Sequence, residues 1–361
     1  PNYSARGTTA PKHEVRSGVE IFRVAGTRLD KNVIVFRIIN MITLSFSVFI
    51  SAIRRFQQGD RVLVVTNPPA VPFIVALASQ IRGSVYSLLI HDNYPEILIA
   101  AGKVRERSLV ARSVAFFNRW LHKHASQIIV VGRDMLELMT RKTAGLDVPI
   151  SVVPNWAELE TVFPAPRSHN NLLEELEIAD KFVILYAGNM GPPNEMEAII
   201  QAADILRDRD EIHWVFLGTG AKRPWLMNEI RVRNLKTVTV LDPRPRSEQS
   251  VFLNACDIAL VSLVNGMLGV SMPSRTYNIL AAGKPILAIA EAGSEIALIV
   301  EEENVGWVVP PAAPKELAEA VVKAQARAIE LPDMGRRARN AAESKYSVEL
   351  AIEGYRSILV D

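Results

Sequence analysis

The 361-residue chain has one cysteine, Cys256, which excludes a disulfide framework and any metal site built from several thiolates. It also lacks a Walker loop and a Gly-x-Gly-x-x-Gly fingerprint, and its histidines show no metal-ligand spacing, so we expect no metal site. Cys256 lies in the apolar run 255–261, where we expect a small core residue. A reducing, cytoplasmic compartment fits this cysteine usage.

The chain also lacks a large excess of one charge sign, since 41 Lys and Arg residues are nearly balanced by 39 Asp and Glu residues. The charge is nevertheless uneven along the chain. Residues 1–160 hold 20 basic and 12 acidic side chains, whereas the remainder holds 21 basic and 27 acidic ones. The basic first half predicts an anionic surface or substrate nearby. Nucleic acid is disfavoured because no basic patch is interleaved with aromatic residues.

Long apolar runs are scarce, and one stretch, Val33 to Ile53, approaches the length of a membrane span. It contains Arg37 and Asn40, whereas a spanning helix needs about 20 predominantly apolar residues. We favour a helix buried within a domain. An amphipathic helix lying in the plane of a membrane is the alternative, and a true span is disfavoured.

The chain does contain an alternation of short β-branched runs with longer helical patterns, which predicts parallel sheets with crossover helices. Its length and this alternation predict two doubly wound α/β domains in tandem. The Pro-containing segment 154–180 is predicted to be a linker followed by a short helix. Predicted strands cover residues 19–24, 61–66, 85–90, 127–131, 150–153, 182–186, 214–217, 237–241, 258–261, 286–289 and 306–309. Predicted helices cover residues 32–57, 71–82, 107–123, 133–143, 195–208, 222–233, 247–255, 274–282, 294–302, 315–328 and 348–359.

Two glycine loops follow predicted strands of the second half, at strand ends where such sheets bind ligands. Glycine lets a phosphate approach the backbone, and the start of the next helix supplies positive potential. After the first loop, Asn194 and Glu197 are expected to cap the helix. After the second, Lys222 and Arg223 are interpreted either as a solvated pair or as cations that face an anion. The loop residues are Gly188, Asn189, Met190, Gly218 and Gly220.

A third loop and its helix, residues 266–285, form the most specific pattern. Pro273 and Ser274 begin the helix, with Ser274 as N-cap, and Gly283 ends it. Loop amides, the Ser274 hydroxyl and Arg275 are expected to converge on one place. That place suits a diphosphate leaving group, whose growing negative charge must be stabilised as the bond to it breaks.

In the first half, His91, Asp92 and Glu96 follow the predicted strand 85–90. Such a cluster at a strand end suits hydrogen bonds to sugar hydroxyls or proton transfer. A capped turn with a structural histidine is the alternative interpretation.

Together these loops resemble the family-4 retaining glycosyltransferases of the GT-B fold, above all bacterial transferases that build capsular, O-antigen or exopolysaccharide repeat units. The resemblance covers nearly the whole chain. It rests on the motifs His91-Asp92-x-Tyr94-Pro95-Glu96, Val153-Pro154-Asn155-Trp156, Tyr186-Ala187-Gly188-Asn189 and Pro273-Ser274-Arg275 with Ala281-Ala282-Gly283-Lys284-Pro285.

The resemblance implies two Rossmann-like domains that face a cleft. Residues 1–160 would bind the acceptor, completed by the C-terminal helix 345–361, and residues 161–344 would bind the nucleotide-sugar donor. The reaction would retain the anomeric configuration, require neither metal nor cofactor, and use a UDP-sugar in preference to a GDP-sugar. The acceptor would be a saccharide of cell-surface polysaccharide biosynthesis. The basic first half and the stretch Val33 to Ile53 suggest a lipid-linked saccharide acceptor and a peripheral contact with the inner membrane face.

The resemblance also implies roles for single residues. His91 would touch the donor sugar, and Asp92 and Glu96 would contact the acceptor. Ser274 and Arg275 would hold phosphate. The remaining donor-binding residues would be Gly188, Asn189, Met190, Gly218, Gly220, Lys222, Arg244, Val270, Ser271, Met272 and Asn278, with Gly188 and Asn189 at the diphosphate and Arg244 at the base.

The chain departs from the family pattern in three places. Val270 and Asn278 replace two glutamates that usually grip the donor, so we expect Asn278 to bond the ribose and the amides of Val270–Met272 to substitute at the sugar. The basic pair that often follows the first glycine loop is absent, which leaves Arg275 as the main charge for the diphosphate. Pro1-Asn2-Tyr3 resembles the end of the family's second strand, so we expect the first βαβ unit to be missing from the numbered chain.

Two other functions remain open. A nucleotide-sugar 2-epimerase shares the fold, and it would need Asp92 and Glu96 as acid and base at the sugar C2. A non-catalytic nucleotide-sugar-binding subunit would explain Val270 and Asn278 in place of the two glutamates.

Overall fold

The computed structural model of this protein describes residues 10–30 and 33–360. The expectation that Pro1-Asn2-Tyr3 ends a strand falls outside these residues. The elements of the first half are β1 (His13–Arg16), β2 (Val19–Phe22), α1 (Ile34–Arg55), β3 (Arg61–Val65), α2 (Val71–Arg82), β4 (Val85–Ile90), α3 (Glu96–Ala100), α4 (Leu109–Lys123), β5 (Gln127–Val130), α5 (Arg133–Lys142) and β6 (Ile150–Val152).

The elements of the second half follow the predicted alternation of strands and helices closely. They are α6 (Asn171–Leu176), β7 (Phe182–Ala187), α7 (Glu197–Ile205), β8 (Ile212–Leu217), α8 (Arg223–Arg233), β9 (Val238–Leu241), α9 (Gln249–Asn254), β10 (Ile258–Ser262), α10 (Arg275–Ala281), β11 (Ile286–Ile289), α11 (Glu295–Glu302), β12 (Gly306–Val309), α12 (Pro314–Ala326), α13 (Leu331–Lys345) and α14 (Val348–Leu359). The bounds of β11, β12 and α14 are those predicted, whereas α13 has no counterpart in the prediction.

The chain divides into two compact units. One takes the described residues up to Leu89 together with Leu121–Ile128, and the other takes Ile90–Trp120 and the described residues from Ile129 onward. The predicted domain boundary near residue 160 stays a prediction.

The larger sheet, in the second unit, has the strand order β12-β11-β10-β7-β8-β9, and its neighbouring strands run parallel. The chain builds outward from β7 through β8 to β9, then returns beside β7 with β10 and continues to β12. The reversal places a crevice beyond the carboxyl ends of β7 and β10, which is where open α/β sheets bind ligands. The loop at Gly188 follows β7, and the loop that leads to Ser274 follows β10.

The core of the larger sheet consists of strand side chains that helices cover. Tyr186, Trp214 and Phe216 are fully buried, and Ile199 of α7 and Leu317 of α12 pack with them in one cluster. Burial of the strands explains their nearly continuous apolar sequences, because strands of a parallel sheet carry helices on both faces.

A smaller sheet has the strand order β3-β4-β5-β6. Within it β3 and β4 are parallel, with Arg61 opposite Val85 and Val65 opposite Leu89. The predicted strands at 61–66, 85–90, 127–131 and 150–153 are therefore confirmed, each shortened by no more than one residue.

The strand predicted at 19–24 is shorter and belongs to a hairpin instead of a parallel sheet. Its residues form β2, which pairs antiparallel with β1, Val19 opposite Arg16. The turn residues Ser17 and Gly18 both have positive φ, at 51° and 79°, as a two-residue hairpin turn requires. Ser-Gly signals such a turn less strongly than Asn-Gly, which is why the sequence did not reveal the hairpin.

The favoured interpretation of residues 33–53 as a buried helix is wrong. Helix α1 is little buried and leaves many of its described apolar side chains exposed, and by length and composition its segment Val35–Arg55 could cross a membrane. One exposed stripe follows the helical repeat, because Val35, Ile38, Ile42 and Phe46 keep 61%, 47%, 58% and 65% of their surface accessible. Contact with α2 covers only part of the helix. The sequence reveals the apolar length of α1 but not how much protein covers it.

Candidate functional site

The two glycine loops after β7 and β8 lie directly against each other. The Gly188 amide donates to the Leu217 carbonyl (2.9 Å) and the Met190 amide to the Thr219 carbonyl (2.8 Å). A Cβ on Gly218 would lie 2.1 Å from the Gly188 oxygen, so no larger residue fits there. Gly220 meets Met190 in the same way, at 2.4 Å. These glycines therefore let two loop backbones meet, whatever ligand binds beside them.

Met190 and Lys222 complete this loop pair. The Met190 side chain is fully buried, and its carbonyl accepts a hydrogen bond from the Lys222 amide (2.9 Å). The Lys222 ammonium pairs with Glu197 (2.7 Å) and also donates to the Asn194 carbonyl (2.9 Å). Lys222 therefore already has a carboxylate partner at the place where it was expected to face an anion.

Arg275, the first residue of α10, reaches the loop at Gly188. Its Nη2 donates to Oδ1 of Asn194 (2.7 Å), and its Cζ lies 4.5 Å from the ring centre of Tyr186. A Cβ on Gly188 would be 2.8 Å from its Nη1. The predicted meeting of the Gly188 loop with Arg275 is thus present at the crevice between β7 and β10.

Two predicted helix caps are not formed as expected. Ser274 stands at the N-cap position of α10, but its side chain makes no capping hydrogen bond and its backbone is already helical. Before α7, the cap bond comes from Glu195, whose Oε1 accepts the Ala198 amide (3.1 Å). The Asn194 side chain instead accepts a hydrogen bond from Arg275, and the Glu197 carboxylate accepts one from Lys222. Tertiary partners thus replace the local caps that the sequence suggested.

Arg244 and Asn278 are both engaged with protein groups. Arg244 Nη2 donates to both carboxylate oxygens of Glu175, at 2.5 and 2.6 Å. The buried Asn278 accepts the Glu158 amide at Oδ1 (2.9 Å) and donates from Nδ2 to Gln249 (3.2 Å). In this structure the Asn278 amide holds two chain segments together in addition to any part it takes in ribose binding.

The loop at Val270 meets the segment that follows β4. Asp92 forms an antiparallel bridge with Ser271, and the Asn93 amide donates to the Val270 carbonyl (2.8 Å). The Asn93 side chain also donates to the Gly269 carbonyl (2.9 Å). The structure therefore brings the His91-Asp92 segment beside residues 269–272, as the proposed joint role of these residues requires. Asn93 was not identified from the sequence.

At least one backbone amide of the loop 270–272 already donates to a carbonyl of the protein. The Val270 amide donates to the Met267 carbonyl (3.0 Å) within its own turn, so it is not free to replace the missing glutamate. Val270 and Met272 are buried, whereas Ser271 is half-buried.

Two carboxylates accept hydrogen bonds from the backbone amides of residues 266–269, just before Val270. Oε2 of Glu291 accepts three consecutive amides, from Gly266, Met267 and Leu268, at 2.8, 2.9 and 3.1 Å. Oδ2 of the buried Asp134 accepts the Gly269 amide (3.0 Å). Burial raises the pKa of Asp134, and the nearby amides oppose that rise. Neither carboxylate is a candidate from the sequence, because neither belongs to a motif that predicts a site.

Glu96 forms an ion pair with a half-buried lysine. Its Oε2 lies 2.6 Å from Nζ of Lys142, which also donates to the Tyr94 carbonyl (2.8 Å). Burial lowers the pKa of Lys142, and the Glu96 carboxylate opposes that change. Glu96 therefore helps to fix the turn after β4, and an acceptor would meet a carboxylate whose charge is already paired.

Burial lowers the pKa of His91, and the negative charge of Asp92 partly opposes this shift. Burial also raises the pKa of Tyr94, and Asp92 adds to that shift. Among the described residues, no group of three His, Cys, Asp or Glu side chains could hold a metal ion.

Two family profiles match the chain, one on each half. The glycosyl transferase 4-like domain matches residues 4–156, and the glycosyl transferases group 1 profile matches residues 181–326. The chain is 31% identical over 334 residues to the probable glycosyltransferase WbjE of Pseudomonas aeruginosa. The aligned region covers 91% of this chain and 81% of that protein. This protein therefore belongs to the glycosyltransferases of group 1.

A second relative agrees with this assignment, and a solved structure has a similar fold. The putative colanic acid biosynthesis glycosyl transferase WcaI of Escherichia coli is 27% identical, over 80% of this chain and 71% of that protein. Anabaena HepE in complex with UDP has a similar fold, with a TM-score of 0.70 at 16% identity, over 89% of this chain and 83% of that one. The predicted GT-B fold class is confirmed.

Proposed function

We propose that this protein is a retaining, metal-independent glycosyltransferase that moves a hexose from a UDP-sugar to a saccharide or lipid-linked saccharide of a cell-surface polysaccharide. The observation that carries the proposal is the position of Arg275 and Gly188 together at the crevice between β7 and β10. The relationship to WbjE and WcaI supports the class of reaction, and UDP in HepE supports the nucleotide.

For this reaction the protein needs mainly to supply positive charge at the leaving group and to position the donor and the acceptor. The bond between the anomeric carbon and the diphosphate breaks, and its electron pair passes to the phosphate oxygen. The acceptor hydroxyl forms its bond on the same face and gives its proton to a donor phosphate oxygen. Arg275 and the Ser274 hydroxyl stabilise the charge that grows on the leaving group. His91 and the Val270–Met272 loop border the sugar.

Arg275→Ala tests the phosphate role. We expect kcat/KM to fall on the order of 100-fold, because one charged donor to the leaving group is lost. Arg275→Lys should recover part of the rate, since it keeps the charge but loses the forked geometry. The measurement is transfer of a radiolabelled sugar from UDP-hexose to membrane acceptors. Arg207→Ala, which removes an ion pair with Asp204 outside this site, is the control.

Full activity of Arg275→Ala would contradict the assigned role. Product NMR decides the stereochemistry, where an inverted anomeric configuration would contradict retention. An unchanged rate in EDTA is expected for metal-independent transfer. Incubation of the donor alone tests the 2-epimerase alternative, which is less favoured because Glu96 is paired with Lys142. Donor binding without turnover on any acceptor would instead support a binding subunit.

We also propose that α1 lies in the plane of a membrane and brings the enzyme to a lipid-linked acceptor. The extended segment 25–29 covers the polar side of the helix. Asn40 accepts the Leu29 amide (3.0 Å) and donates to the Leu29 carbonyl (2.9 Å), while Ser47 donates to the Ala25 carbonyl (2.7 Å). One side of α1 is therefore occupied by protein, and its apolar stripe is left for lipid. Arg37, Arg54 and Arg55 suit anionic headgroups.

A further inference from the structure

The basic residues that the sequence predicts to contact the donor or an anion differ in what balances their charge. Lys222 pairs with Glu197, Arg223 with Asp242 (2.7 Å), and Arg244 with Glu175. In the described part of the chain, Arg275 has no such carboxylate partner. Its partners are the Asn194 amide oxygen, the Ala187 carbonyl at 3.5 Å and the face of the Tyr186 ring, and all of them are uncharged.

Asn194 connects Arg275 to the rest of the loop pair. Its side chain accepts from Arg275 at Oδ1 and donates from Nδ2 to the Asn189 carbonyl (2.9 Å). Its own amide donates to the Gly191 carbonyl (3.0 Å), and its carbonyl accepts from Lys222. The residue keeps only 7% of its surface accessible, so it is a fixed part of the structure. A single buried amide thus sets where the guanidinium lies relative to Asn189.

We infer that Asn194 is a positioning residue that aims the Arg275 guanidinium at the donor diphosphate and, being neutral, leaves its charge available. An aspartate there would hold Arg275 at least as firmly but would neutralise it, because charged hydrogen bonds to guanidinium are stronger than neutral ones. The inference rests on the proposed function, since it assumes that the anion at Arg275 is a nucleoside diphosphate.

Asn194→Asp and Asn194→Ala separate the charge from the contacts. Both variants lose the bond to Asn189, but only Asp adds a carboxylate at Arg275. We expect UDP affinity to fall by about 10-fold or more in Asn194→Asp, and by less in Asn194→Ala. Binding of uridine, which has no phosphate, should stay close to wild type in both. Calorimetry with UDP and with uridine measures this, and the donor KM should rise more than kcat falls.

Two further variants control the experiment. Asn170→Asp changes another buried asparagine, one that bonds the Leu172 and Leu173 amides and the Val251 carbonyl, and it should leave UDP binding unchanged. In an Arg275→Ala background, Asn194→Asp should lose its effect on UDP, because the two residues act as one unit. The reference for this comparison is UDP binding by Arg275→Ala alone, and Asn194→Ala separately tests the contacts of the side chain.

Equal losses of UDP and uridine binding would overturn the inference, since they would indicate general damage to the loops. An Asn194→Asp effect that persists without Arg275 would also overturn it. A wild-type protein that binds neither UDP nor GDP would instead overturn the proposed function itself.

Discussion

At the scale of the residue, burial sets the charge around the proposed sugar site. Burial lowers the pKa of His91, and the negative charge of Asp92 partly offsets that decrease. Burial raises the pKa of Tyr94, and Asp92 raises it further. Both rings are therefore neutral near pH 7, and the His91 ring can donate from one nitrogen and accept at the other. A neutral imidazole suits hydrogen bonds to sugar hydroxyls.

We predict that the His91 ring titrates below its ordinary pKa of about 6.5 in the folded protein. Because the folded pKa is lowered, the unfolded chain takes up the proton first. The protein should therefore lose stability as pH falls below that ordinary value. NMR titration of labelled histidine measures the folded pKa, with His91→Asn to assign the signal and the unfolded protein as reference. A folded value at or above the reference would contradict this prediction.

Other residues of the site show why single positions escaped sequence reasoning. The sequence predicts that Asn194 is a helix cap, and it gives no sign of the contacts that Asn93, Asp134 and Glu291 make. Each bonds a loop that is distant along the chain, for example Glu291 to the amides of residues 266–268. A local sequence pattern predicts contacts between residues of the same turn or helix. It cannot predict hydrogen bonds to residues that are distant along the chain.

At the scale of the element, α1 and α13 depart most from expectation. Residues 331–345 contain Pro332 and Gly335, which argue against a helix in a sequence pattern. In the structure the proline lies in the first turn of α13, where it is tolerated. A Cβ on Gly335 would lie 2.3 Å from the Gly283 carbonyl oxygen, so the glycine permits α13 to contact the end of α10.

For α1 we predict that Phe46→Asp weakens binding to vesicles containing anionic phospholipid. A charge in place of the most exposed residue of the apolar stripe must stay hydrated, so the stripe should insert less well. Co-sedimentation with the vesicles measures the loss. Val232→Asp is a matched control, because Val232 of α8 is 70% exposed and Phe46 is 65% exposed. Equal vesicle binding by wild type and Phe46→Asp would contradict membrane contact through α1.

At the scale of the whole molecule, the larger sheet positions the loops of the candidate site. Its strand order reverses at β7 and β10, which is why the Gly188 loop and Arg275 meet although 86 residues separate them in the sequence. The Tyr186 ring that supports Arg275 also contacts the core, with its centre 6.0 Å from that of Phe216. The stability of the core and the geometry of the site are therefore connected.

We predict that Phe216→Ala lowers the free energy of unfolding by about 3–5 kcal/mol, through lost burial and the cavity it leaves. Phe116→Ala should change it by no more than about 0.5 kcal/mol. The difference follows from exposure, which is 1% for Phe216 and 71% for Phe116. Denaturant unfolding of both variants measures the effect. A comparable loss in the two would contradict the assignment of Phe216 to the core.

The sequence by itself determined the strands of the two parallel sheets, most helices and the family, and it predicted the loops of the candidate site. These depend on hydrophobic periodicity and on turn residues, which act between near neighbours. Only the tertiary structure decided which basic residues are neutralised, that Asn194 holds Arg275, and that α1 is exposed. Those outcomes depend on partners from distant segments, because charge balance and burial are set by which surfaces meet when the chain folds.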